Sequence, residues 1–140
     1  MKQVLLVFLL AMATCSVAMA QSKADRRVAY TLRNMHLNKQ TEAQLEPLLR
    51  QYLKEKKTAT KAYDDLKDKH KAAIKAGTLT DSQASQLLAA KFVADSAEVV
   101  VKRKYVPVFS RLLKPKQVYY VFDYIGDKMS KIDGKSKDED

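Results

Sequence analysis

Apolar residues recur along most of this chain at the three- and four-residue steps that line one side of a helix. Val28, Leu32 and Met35 mark a short first helix from about Asp25 to His36, with Asp25 as its cap. Asn38-Lys39-Gln40 interrupts it, and Thr41-Glu42-Ala43-Gln44 reads as a capping box opening a second helix. Behind that box Leu45, Leu49, Tyr52, Lys56, Ala59, Tyr63, Leu66, His70 and Ala73 alternate steps of four and three. A period of about 3.5 residues keeps such a stripe turned toward a partner helix. Gly77 is placed to end the segment in the left-handed conformation.

Thr80-Asp81-Ser82-Gln83 is a second capping box, and Leu87, Leu88, Phe92, Val99, Val106, Phe109 and Leu113 follow it at helical spacing. Pro107 lies inside this third segment and is expected to kink or curve it. Pro115 suits the first position of a last helix carrying Val118, Tyr119, Phe122, Ile125 and Met129. The second and third helices are each ~30–35 residues, roughly 45–50 Å long. A Gly-Thr-Leu turn between them requires an antiparallel hairpin. The fold class is therefore all-α: an elongated four-helix fold built on that hairpin. So little core for so much surface argues for a curved homodimer paired along the apolar stripes.

The ends read differently. Met1-Lys2-Gln3, an apolar run from Val4 to Ala13, and Ala18-Met19-Ala20 make residues 1–20 a secretory signal cleaved before Gln21. The helical domain is then 21–132, and the polar, charged tail 133–140 is expected to be disordered. The single Cys, Cys15, leaves with the signal, so no disulfide framework is available. A lipoprotein acylated at Cys15 is the alternative, although Met12-Ala13-Thr14 is a poor lead-in for it. The expected location is the periplasm.

Three Gly and three Pro leave little turn chemistry for a many-stranded protein. Catalytic signatures are missing too: no glycine-rich phosphate loop, no nucleophile motif, and two His, His36 and His70, without ligand spacing. Asp64, Asp65 and Asp68 among Lys61, Lys67, Lys69 and Lys71 read as a solvated helix face. Neither an enzyme, nor a cofactor, nor a bound metal is expected.

Charge adds a different hint. The chain carries 26 Lys+Arg against 16 Asp+Glu, a formal +10. A basic surface draws acidic proteins or anionic headgroups. Nucleic acid is disfavoured by export and by the lack of a reader motif, and a membrane surface is not the expected partner. Helix-face reasoning assigns charge to Lys56, Lys57, Lys67, Lys91, Lys102 and Arg103, and apolar contact to Tyr52, Tyr63 and Phe92.

The junction Leu113-Lys114-Pro115-Lys116-Gln117 resembles the Leu-Thr-Pro-x-Gln junction of the Spy/CpxP family of periplasmic LTxxQ proteins. Gln40-Thr41-Glu42-Ala43-Gln44 resembles the family's earlier motif with Gln in place of Leu. Leu79-Thr80-Asp81-Ser82-Gln83 matches the string fully, but opens the third helix, where the family does not usually carry it. The resemblance spans residues ~25–130 in helix order and length. It implies a thin, curved dimer with a basic, partly apolar concave face, acting as an ATP-independent chaperone on unfolded or acidic clients. An envelope-stress regulator docking a sensor partner is the alternative it implies, as is a periplasmic metal sensor.

Overall fold

A computed structural model describes residues 22–125 and 128. Within them the protein is all-helical. The elements are α1 (Lys23–Met35), α2 (Lys39–Lys69), α3 (Lys71–Ala76), α4 (Asp81–Ser110) and α5 (Pro115–Tyr119), followed by a π-helical turn, Tyr120–Tyr124. The expected signal 1–20 with Cys15, Met129, and the tail 133–140 lie outside the described residues.

Helix starts are set by short polar side chains, and two differ from the sequence expectation. Ser22, not Asp25, caps α1. The Asp25 amide donates to Ser22 Oγ at 3.1 Å, and the Ser22 amide donates back to Asp25 Oδ2 at 3.2 Å. Asp25 is thus the third-residue partner of a capping box. Asn38 caps α2 by accepting from the Thr41 amide at 2.8 Å, so Lys39 and Gln40 already belong to the helix. The expected Thr41–Gln44 box does not form, because Asn38 has taken the Thr41 amide that the Gln44 side chain would have served, and the helix already starts at Lys39. The Thr80–Gln83 box is present in both directions, at 3.2 and 3.0 Å.

The long second helix is divided. His70 (φ −102°, ψ 11°) separates α2 from α3, although its amide still bonds Leu66 O and its carbonyl accepts from Ile74. At Gly77, φ is +67°, and the Thr78 amide reaches back to Ala73 O at 2.9 Å. That left-handed cap turns the chain toward α4. The α4 helix runs on through Pro107 to Ser110 without a break. The last helix starts at Pro115 as expected, and from Tyr120 to Tyr124 it widens into a π turn before Ile125 returns to α geometry.

Packing concentrates at one end. Val28, Leu32 and Met35 of α1 meet Leu45, Leu49 and Tyr52 of α2, Tyr105 and Phe109 of α4, and Leu113, Val118, Val121 and Ile125 beyond it. Tyr52 contacts Tyr105, Phe109 and Phe122 with ring centroids 5.3 to 5.8 Å apart. The tilted and edge-on arrangements suit the ring quadrupoles. Farther out, α2 and α4 continue as a two-helix stalk, in which Leu87 and Ala94 are the only buried residues among those described. Tyr63, Leu66, His70 and Ala73 are half-buried there, on the stripe the 3.5-residue period picks out.

The inward row of α4 is not the one the larger residues mark. Leu87, Ala94, Tyr105 and Phe109 are buried, with Ala90, Ala97 and Val101 half-buried between them. Leu88, Phe92, Val99 and Val106 are exposed, and in the last segment so is Tyr119. Alanines let two helices approach closely, so a row rich in small residues makes the seam.

The capping correction has a direct test. Asn38→Ala is expected to cost about 1 kcal/mol in urea unfolding, while Thr41→Ala costs only a few tenths of that. Equal costs at the two positions would return the cap to Thr41.

Candidate functional site: the outer face of α4

Because small residues and Tyr105 face α2, the bulkier apolar residues of α4 are turned to solvent. Phe92 is 60% exposed, Val93 70%, Val99 46%, Val100 66% and Val106 44%, with Leu88 at 53%. The pairs Phe92-Val93, Val99-Val100 and Val106-Pro107 recur every seventh residue, two helical turns apart. Together they form one apolar strip, and the largest apolar patch of a soluble monomer, about 300–600 Å², is often functional. Asp95, Ser96, Lys102 and Arg103 fill the gaps between the pairs.

Most cations around this face are partly neutralised. Lys91 pairs with Asp95. Lys102 and Lys56 both reach Glu98, at 2.8 and 3.0 Å, so one carboxylate ties α2 to α4. Lys104 donates to both oxygens of Glu55, which also accepts from the Tyr105 hydroxyl at 2.9 Å. Lys57, Lys67 and Arg103 make no ion pair among the described residues, and all three are exposed. Residual positive charge therefore sits on Arg103 beside the apolar row, and on Lys57 and Lys67 along α2.

The residues expected to bind clients divide accordingly. Lys91 and Phe92 lie on α4 about three turns before Lys102 and Arg103. Lys57 and Lys67 are exposed on α2, while Tyr63 is half-buried on the helix seam. Lys56 serves mainly as a cross-helix clasp. Tyr52 is a correction: at 4% exposure its ring is core and has no surface to offer a client. Burial, followed by the nearby Glu98 charge, pushes its hydroxyl up to about 12, so it stays protonated.

Helix starts explain the motif residues. Thr80 and Gln83 cap α4, with Leu79 half-buried ahead of them. Gln117 accepts from the Lys114 amide at 2.9 Å, just after the buried Leu113 and the first-turn Pro115. Lys114 has no acceptor with which to complete the reciprocal bond. Gln44 is simply exposed within α2.

Sequence reasoning missed Val93, Val100 and the two glutamate clasps. The apolar pairs were visible as a seven-residue recurrence. Glu55 and Glu98 were not, because each is defined by partners about fifty residues away or on the neighbouring helix. Among the described residues, no three His, Cys, Asp or Glu gather as a metal site, and no helix is long and apolar enough to cross a membrane.

The Glu98 clasp predicts a pH dependence. Burial alone would raise its carboxyl, but hydrogen bonds from Lys102 and Lys56 outweigh that and hold it below 4.5. A carboxylate lowered in the fold stabilises above its unfolded pKa, and that contribution is lost as pH falls through the folded value. Glu98→Gln should cost about 1–2 kcal/mol at pH 7, measured by chemical unfolding. The gap from the parent should close as pH falls below about 4. A gap unchanged in acid would assign the effect to shape rather than charge.

No family model, curated protein or solved structure matches this chain, and the likeness to the LTxxQ proteins rests on the motif strings and helix order alone.

Proposed function

We propose that this is a periplasmic, ATP-independent, chaperone-like protein that holds unfolded or partly folded clients on the outer face of α4. The observation that carries the reading is the exposed row Leu88, Phe92, Val93, Val99, Val100 and Val106, with Arg103 in its midst. Exposed apolar side chains on a well-packed helix cost the folded protein little and match what unfolded chains display. Net positive charge would gather acidic clients at long range, at rates that fall with salt. Release needs no nucleotide, since a client that buries its own apolar groups removes the surface being held. On this reading the protein has no catalytic role.

The seven-residue recurrence favours one second reading. A second copy laid along the same row would form a homodimer by helix pairing. That use competes with clients for the same residues. A dedicated sensor partner would instead bind saturably and leave unrelated clients alone.

Suppression of aggregation of an unrelated, chemically denatured protein tests the reading, without ATP and at low and high salt. The parent chain should suppress aggregation, and less so in high salt. Phe92→Ser with Val99→Ser should weaken suppression about tenfold, with the melting temperature nearly unchanged because both residues are exposed. Sedimentation of the same variant separates the uses. A parent dimer that becomes monomeric assigns the row to self-association; a parent that is monomeric and inactive toward clients ends the chaperone reading.

A further inference from the structure

The α4 helix has two faces suited to packing, on opposite sides. Toward α2 it turns Leu87, Ala94 and Tyr105, with Ala90 and Ala97 half-buried between them. Away from α2, Phe92, Val99 and Val106 form one apolar line, and Val93, Val100 and Pro107 form a second. All six are exposed. Ala89, Ser96 and Arg103 run between the two lines, also every seventh residue. Successive positions of each line are therefore about 10.5 Å apart, at a rise of ~1.5 Å per residue.

That spacing discriminates between chain conformations. A second helix with apolar residues at three- and four-residue steps repeats its own contact every seven residues. Its knobs then meet the holes between the α4 lines turn after turn. An extended segment advances ~3.3 Å per residue and presents one face every ~6.6 Å, which falls out of step with ~10.5 Å after one contact. Charge narrows the occupant further. Arg103 sits between the lines, exposed and without an ion pair among the described residues. The chain carries a formal +10, so a second copy is repelled at long range where an acidic helix is drawn in.

We propose that the outer face of α4 selects acidic amphipathic helices, packing on their apolar stripe while Arg103 meets a carboxylate at the stripe's edge. This rests on the reading of the row as a binding surface, and it names the conformation that surface takes. Unfolded chains carry fluctuating helices. A client caught in that state is held with its local structure intact, and it leaves when the held segment finds its own partner within the client.

Two labelled peptides of about 21 residues and one composition test it, by fluorescence anisotropy with the full chain. One sets Leu at the three- and four-residue steps of a heptad pattern with Glu beside them; the other arranges the same residues in strand-like alternation. The heptad peptide should bind at least about tenfold tighter, and gain helical circular dichroism as it does. Arg103→Glu should weaken it about fivefold and favour a Lys-flanked version instead, whereas Lys67→Glu on α2 should change it less than about twofold. Phe92→Ser with Val99→Ser should abolish the difference between the peptides. Equal binding of the two peptides, binding without gain of helix, or no binding of either would each overturn the inference. So would a parent chain that sediments as a dimer held through Phe92 and Val99 and excludes the peptide. If aggregation suppression persists while the peptides bind alike, helix selection alone has failed. If the heptad peptide binds while suppression is absent, the client reading alone has failed.

Discussion

Everything in this fold hangs on the ring cluster of Tyr52, Tyr105, Phe109 and Phe122. It draws one residue from α2, two from α4 and one from the π turn. Those four side chains join α2 to segments fifty and more residues further along the chain, and α1 closes over them with Val28, Leu32 and Met35. Buried aromatic surface is the largest apolar contribution a small helical domain can make. Concentrating it at one end frees the other end from core duty. The stalk can then be thin, lined with alanine on the inside and bulkier apolar groups on the outside.

The helical character, the left-handed cap at Gly77 and the Thr80–Gln83 box were legible in the sequence because each is decided within a few residues. The second helix's inward stripe was legible too, since Leu45, Leu49 and Tyr52 are both apolar and periodic. Of the residues expected to face inward after the second box, Leu87, Phe109 and Leu113 do so, while Leu88, Phe92, Val99 and Val106 do not, for a physical reason. Hydrophobicity ranks Phe92 and Val99 above Ala90 and Ala94, yet close helix approach prefers the small residue. Helix starts were ambiguous wherever two short polar residues competed within one turn, as Asn38 and Thr41 do. The geometry then favours the residue whose oxygen reaches an amide three positions ahead.

The candidate surfaces show the same division. Lys91 with Phe92 and Lys102 with Arg103 share α4 as two pairs about three turns apart, as their positions on one helix require. Tyr52 was not separable from them, because a Tyr on a stripe reads alike as core or as contact surface. The pairing of Lys56 with Glu98, and of Lys104 with Glu55, depends on the registry between two helices. Nothing local in the chain specifies it, and those pairs decide which cations remain available.

The placement of Leu87 and Ala94 as the stalk's only buried residues among those described also sets a hierarchy of opening. Few apolar contacts resist separation of α2 and α4 beyond Lys56, whereas the ring cluster holds the other end shut. Backbone amides near Gly77 should therefore exchange with solvent through partial openings that leave the head intact. Such a molecule behaves like tweezers hinged at the aromatic end, with the alanine seam as the inner surface of the blades.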